Sequence, residues 1–406
     1  MTRLLAFIIE GLAIERRHCF CLVLMDHIRD EAEADLKTIS AVRDIDYTLH
    51  SPRDHGVKVN DFLELAKFAN HHMSVTSWLT LYPGYTHAKF LDAPVSAIFP
   101  DAIPLVFPDL SEAAWSRSGH HVAWVAKVTE LLKSSERVIT FSEHVARDQV
   151  SRLFDFDIAR TRVIRVAPPD LAPLLPFVQE RRRNSDSLRQ ASALLRKYAA
   201  NQKWDYLIDF PFDQVPYVAV STQDRVTKNI RVVADAVSRL VREDRYDARI
   251  LMTARLLLGT SWTPLPSLVG TEQLHREVVS MPDLPRQEHA AFYHCAEVAV
   301  HPSIFEGGMG TFPFYEAVSV GTPCLMADGP HQREMTDRVP AVGSFVFDPN
   351  DSTKLADLIK YIRNDRAGVL EEQLEIYEKL RARDWGDVAA EYASAATGTA
   401  RSSPRE

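Results

Sequence analysis

At roughly 100–200 residues per domain, a chain of 406 residues holds two or three domains. Its 46% hydrophobic and 25% charged content is that of a globular protein. The formal net charge of −8 disfavours a bulk nucleic-acid binder, which is more often basic.

In chain order, Leu4, Leu5, Ile8, Ile9 and Leu12 recur at helical spacing, so the chain opens on a helix. CFCLVLM (19–25) reads as a buried strand. Four more strand-like runs follow: SVTSWLTL (74–81), PVSAIF (94–99), RVITFS (137–142) and TRVIRVA (161–167). Helical patterns at 113–133 and 143–153 lie among them. This alternation predicts an α/β domain with a parallel sheet.

Residues 179–205 differ in composition. Arg181, Arg182, Arg183, Arg189, Arg196, Lys197 and Lys203 accompany one apolar face of Leu188, Ala191, Leu195 and Tyr198. We read a solvated surface helix near a domain junction. The alternative is a basic amphipathic helix lying on an anionic membrane.

A second α/β series starts with the strand PYVAVS (216–221) and a helix presenting Ile230, Val233, Val237, Leu240 and Val241 on one face. Strands ARILMTA (248–254) and REVVSM (276–281) follow, then a helix over 289–296 and the strand EVAVHPS (297–303). A helix near 313–320 stops at Gly321, a residue suited to the left-handed cap position, ahead of the strand PCLMA (323–327). The last helix surrounds Trp385, Val388, Ala389 and Tyr392, and RSSPRE reads as a frayed tail. The expected domains are 1–205, 206–380 and a terminal helix and tail over 381–406. Two such halves imply a cleft, and open α/β sheets bind ligands at the carboxyl ends of their strands.

Cys19, Cys21, Cys295 and Cys324 lie in apolar runs without zinc-site spacing, which predicts buried, reduced thiols of a cytosolic protein. No apolar run nears the roughly 18 residues of a membrane span. Asp44-x-Asp46 and Asp155-x-Asp157 sit in polar turns and are weak metal candidates.

The chemistry concentrates in EGGMGTFPFYEA (306–317). Gly307, Gly308 and Gly310 let the backbone approach a ligand, and Pro313 suits the first turn of a helix. The amides near Gly310, Thr311 and Phe312 are then expected to offer N-terminal donors to a phosphate. Glu316, one turn in, can accept hydrogen bonds from a ribose diol, and Glu306 at the strand end can point toward the ligand. A diphosphate, a ribose and something beyond describe a nucleotide-sugar. By itself this pattern is more often a glycine-rich turn with a glutamate helping a helix start.

The wider segment HPSIFEGGMGTFPFYEAVSVGTPCLMADGPHQREM resembles the donor-binding region of retaining glycosyltransferase family 4, within glycosyl transferase group 1. VSAIFPDAIPLVFPD (95–109), VITFSEHVARDQV (138–150), PYVAVSTQDRVTKNIRVVADAV (216–237) and DWGDVAAEYA (384–393) are similar to other parts of it, so the resemblance spans about 75–393. It implies a GT-B fold, two Rossmann-like domains facing each other across a cleft. It also implies transfer of a hexose from a nucleotide-sugar to a hydroxyl acceptor with retention.

Carried over residue by residue, Lys228 falls on the lysine that pairs with the donor diphosphate. Thr222 falls where a companion arginine is usual, and Arg225 can compensate. Glu306 falls near the transferred sugar, with Lys228 its catalytic partner. Glu316 meets the ribose, beside Gly307, Gly308, Gly310, Thr311 and Phe312. His301 and His331 flank this loop, with packing as good a reading as substrate contact.

Three departures stand out. The family loop reads E-x7-E, whereas nine residues separate Glu306 and Glu316 here, the extra two lying in the glycine-rich part. Pro100-Asp101 replaces a frequent His-Asp. The family also opens on a strand and glycine-rich loop before its first helix. Here that strand is missing, or residues 4–9 form it. A non-catalytic sugar-nucleotide-binding or partner subunit is therefore the alternative function. The resemblance further implies no metal or cofactor, a glycan or lipid-linked acceptor and polysaccharide biosynthesis. The expected location is the cytoplasm, with peripheral contact at the inner membrane face.

Overall fold

The computed structural model describes residues 2–15, 17–40, 47–81, 83–107, 120–255, 269–270 and 272–398. Asp44-x-Asp46, the helix start expected over 113–119, Asp109 and the tail RSSPRE lie outside them. The first elements are α1 (Thr2–Glu15), β1 (Phe20–Val23), α2 (Asp26–Ser40), β2 (Tyr47–His50), α3 (Phe62–His72), β3 (Trp78–Thr80) and β4 (Val95–Ile98). Next come α4 (His120–Ser134), β5 (Arg137–Thr140), β6 (Thr161–Val163), α5 (Ser185–Gln202), β7 (Tyr217–Val220), α6 (Ile230–Arg242), β8 (Arg249–Met252) and β9 (Val278–Ser280). The remainder are α7 (Arg286–Cys295), β10 (Val298–His301), α8 (Phe312–Ser319), β11 (Cys324–Ala327), α9 (Pro330–Arg338), β12 (Val346–Phe347), α10 (Ser352–Asn364), α11 (Arg366–Leu380) and α12 (Trp385–Thr397).

These elements form two compact units, Met1–Ala167 with Arg383–Glu406, and Pro168–Ala382. In the first, β3-β4-β5-β6 form a parallel sheet, while β1 and β2, among the described residues, pair only with each other, also in parallel. Ile8 and Leu12 of α1 meet Ile98, Ile139, Val388 and Tyr392 in one core cluster. Phe7 stacks on Trp385 at 4.5 Å. A Cβ on Gly11 would lie 2.0 Å from the Trp385 carbonyl oxygen, so only glycine permits this helix crossing.

Residues 4–9 are therefore helical, not a strand. The terminal helix belongs to the N-terminal unit because its apolar face completes that core, although the sequence places it apart. Among the described residues no strand covers the second edges of β1 or β3. Leu22, Met25, Met73, Trp78 and Leu91 from around these edges line one cavity of about 1010 Å³.

The second unit carries one unbroken parallel sheet in the order β12-β11-β10-β7-β8-β9. β7, β10 and β11 are buried at every residue, which is why they read as continuous apolar runs. Ala191, Leu195 and Ala199 of α5 are fully buried in this unit's core, and Asn184 caps the helix through the Asp186 and Ser187 amides. The unit therefore begins at 168 rather than 206. The apolar face weighed as a membrane surface is already occupied by this core. Cys295 and Cys324 are buried as expected, whereas Cys19 is exposed.

Candidate donor site

From β7 the sheet runs outward through β8 and β9 in one direction, and through β10, β11 and β12 in the other. β7 and β10 are adjacent, with Ala219 beside Ala299. The loops leaving their carboxyl ends thus start side by side at the point where strand order reverses, the usual ligand position in such sheets.

The loop after β7 contains a 3-10 turn, Val226–Lys228, closed by the Lys228 amide donating to the Arg225 carbonyl at 2.9 Å. The loop after β10 is tied to it: the Thr227 carbonyl accepts from the Ile304 amide at 3.1 Å and from Ser303 Oγ at 3.4 Å. Asn229, at φ 46°, donates from Nδ2 to the Pro349 carbonyl at 2.8 Å. These bonds hold Lys228 against the neighbouring loop.

Lys228 Nζ forms an ion pair with Glu306 Oε1. The same oxygen accepts from His301 Nε2 at 3.0 Å. Burial works to raise the Glu306 pKa, but Lys228 and His301 outweigh it and hold the carboxyl well below its usual range. Glu306 is therefore ionised. Burial lowers the His301 pKa, against the pull of Glu306. A carboxylate only accepts hydrogen bonds, which assigns the proton of the neutral ring to Nε2. His301 Nδ1 is buried without a hydrogen-bond partner. His331, 1% exposed, stands perpendicular to His301 at 6.4 Å between ring centroids. Its burial pushes its pKa down to about 3.

The structure thus brings Glu306 and Lys228 together with His301, which the sequence flagged only as a flank. Glu316 lies in α8, 1% exposed, and its carbonyl accepts from Ser319 Oγ at 2.8 Å. Thr311 caps α8 by accepting from the Phe314 amide at 3.3 Å, and Phe312 is the first helical residue. Gly307 is buried and Gly308 partly buried.

Gly310 differs from expectation. Its amide donates to the His331 carbonyl at 2.9 Å and is spent inside the fold rather than offered to a phosphate. The loop needs that bond to lie over α9: Gly310 sits at φ 69°, and a Cβ there would meet Met335 Sδ at 2.6 Å. Thr222 is locked to the end of β8, its amide donating to Thr253 Oγ1 at 2.9 Å. Arg225 is exposed. In the other unit, Pro100 and Asp101 follow β4, with Asp101 Oδ1 accepting from the Ile103 amide at 3.2 Å. Asp157 caps a turn through the Ala159 amide at 2.9 Å.

Residues 216–365 match the family model of glycosyl transferases group 1. Sucrose-phosphate synthase from Thermosynechococcus elongatus is similar in structure, with TM-score 0.63 and 15% identity over 93% of this chain and 98% of that one. Anabaena Alr3699/HepE, solved in complex with UDP-glucose, gives TM-score 0.66 and 13% identity over 96% and 94%. α,α-Trehalose 6-phosphate synthase from Burkholderia multivorans gives TM-score 0.58 and 11% identity over 94% and 98%. The fold is GT-B. No curated protein matches by sequence. Within this GT-B fold the family match begins at β7 and extends past α10, so it contains the whole Lys228–Glu306–His301 cluster.

Proposed function

We propose that this chain is a family 4 glycosyltransferase that moves a hexose from a nucleoside-diphosphate sugar to a hydroxyl acceptor with retention of anomeric configuration. The observation that carries the reading is the Lys228–Glu306 ion pair at the reversal point of the sheet, inside the segment that matches glycosyl transferases group 1. That HepE was solved with UDP-glucose supports a donor of this class.

In this reading Lys228 Nζ turns from Glu306 to the diphosphate and stabilises its charge as it leaves. Ionised Glu306 accepts hydrogen bonds from sugar hydroxyls, and Glu316 accepts from the ribose. Arg225 and Thr222 border the diphosphate, with Gly307, Gly308, Thr311 and Phe312 lining the donor loop. The bond from the anomeric carbon to the phosphate oxygen breaks while the acceptor oxygen bonds to the same face. The acceptor's proton passes to the leaving phosphate oxygen. Positioning and fixed charge thus replace a protein acid and base, and Lys228 takes the place of a metal.

The proposed acceptor is a glycan or lipid-linked saccharide in polysaccharide biosynthesis, met in the cytoplasm at the inner membrane face. Among the described residues no helix is long and apolar enough to cross a membrane.

Nucleoside-diphosphate release from a panel of nucleotide-sugars, with thermal protection by the same panel, tests the reading. Release with at least one donor is expected. Absence of both release and protection across the panel would sink it. The second reading, a non-catalytic sugar-nucleotide-binding subunit, is motivated by Pro100 in place of a frequent family histidine. Protection without release in any acceptor mixture would favour it.

A further inference from the structure

In the structure, two groups share one oxygen. Glu306 Oε1 receives both the Lys228 ammonium and the His301 Nε2 proton. Lys228 Nζ cannot stay on this oxygen and also serve a diphosphate at full strength. When the ammonium turns away, Glu306 keeps a negative charge in a largely enclosed setting, and an arriving diphosphate adds further negative charge nearby. Leaving a carboxylate without a positive partner there is costly. The group placed to answer is His301, whose Nε2 already faces the carboxylate and whose Nδ1 is open to a proton.

We propose that donor binding is coupled to uptake of one proton from solvent by His301 Nδ1, which replaces Lys228 as the positive partner of Glu306. The inference rests on the donor reading above and adds to it a positioning residue and a pH dependence. No covalent bond changes: one proton leaves the buffer and one N–H bond forms, giving an imidazolium that holds Glu306 while Lys228 holds the diphosphate.

The surroundings fit this exchange. The titratable groups facing His301 are Glu306 from its own loop, Lys228 from the turn after β7, His331 from α9 and Cys324 from β11. His331 is neutral because burial outweighs the upward pull of Glu306 and the weaker one of Asp328. Burial raises the Cys324 pKa, so that thiol is uncharged. Burial is the main reason His301 is neutral, and Lys228 adds to it. When that cation turns away, one of the two opponents of protonation is removed while Glu306 still favours it.

Calorimetry with UDP-glucose in buffers of different ionisation enthalpy tests the coupling on the full chain. This donor is suitable because its diphosphate is esterified at both ends and does not itself titrate near neutrality. If UDP-glucose does not bind, the donor found by the panel takes its place.

Net proton uptake is expected. Affinity should fall as pH rises through the donor-bound His301 pKa, by up to about tenfold per pH unit. His301→Gln keeps an N–H toward Glu306 but cannot titrate. It should bind the donor with no proton uptake and a pH-independent affinity. Glu306→Gln, which removes the charge to be matched, should also abolish uptake.

Donor binding by the native chain without proton uptake overturns the coupling and leaves the donor reading standing. Uptake that persists in His301→Gln assigns the proton elsewhere and overturns it as well. If no member of the panel binds, the donor reading and the coupling fail together. The native-chain measurement can overturn the coupling even where a variant does not fold.

Discussion

The two units solve the same problem, a parallel sheet between helices, with different completeness. In the second unit six strands are hydrogen-bonded without a break, and its central strands are buried at every residue. In the first unit the strands fall into sets of two and four, and the edges of β1 and β3 border a cavity. β1 and β3 each have a single buried residue. The difference shows where precision resides: the cluster sits on the continuous sheet, whose paired neighbours fix β7 and β10 in register. Backbone groups paired on both sides leave a strand little freedom to shift.

The largest expected effect that sharpens this contrast is a matched core truncation. Leu325→Ala on β11, at 0% exposure, should cost about 4 kcal/mol, near the upper range for such changes. Leu22→Ala on β1, 8% exposed beside the cavity, should cost about 2 kcal/mol, since the side chain already lacks neighbours on one side. Chemical denaturation of both variants checks this. Equal losses would break the contrast.

Next in size, Lys228→Ala should lower kcat by about 10²–10³-fold, the usual cost of losing one charge-stabilising group. Circular dichroism should stay native. Single-turnover assays separate this from weakened donor binding.

A smaller effect concerns acid. The histidines buried among the described residues, His294, His301 and His331, all lie in the second unit. Burial pushes His294 down to about 4 and His331 down to about 3, from 6.5. The unfolded chain therefore binds more protons than the folded one over this window. Their stability contribution is full above about pH 6.5 and declines as pH falls toward 4. Thermal unfolding across that range should show the second unit weakening. His294→Gln and His331→Gln should each flatten the decline.

The smallest effect is expected at Arg225. It is exposed, and Arg225→Ala should change stability by less than about 0.5 kcal/mol. Donor affinity measured alongside would show whether it compensates for the absent companion arginine. A loss as large as that of Lys228→Ala would move the centre of the site outward.

Much of the fold was legible because the second unit obeys simple periodicities. PYVAVS, EVAVHPS and PCLMA each contain the strand they predict, and the face of Ile230, Val233, Val237 and Leu240 is buried in α6. The glycine-rich stretch was legible as a loop leading into a helix that starts beside Pro313 and carries Glu316. The Lys228–Glu306 pairing was not, since the partners lie 78 positions apart in the chain and nothing local signals their meeting. Nor was the Gly310 amide's bond to the His331 carbonyl, which exists only because α9 packs beneath the loop.

Sequence alone determined the α/β class, the two-part layout and the residue types at the loop, since these depend on short-range pattern and on chemistry carried by each side chain. Tertiary structure alone decided that α5 belongs to the second unit and α12 to the first, because buried faces choose partners far along the chain. It also decided that Glu306 is shared between Lys228 and His301. That sharing follows from strand order: β7 and β10 become neighbours where the sheet reverses direction, and the two loops meet there.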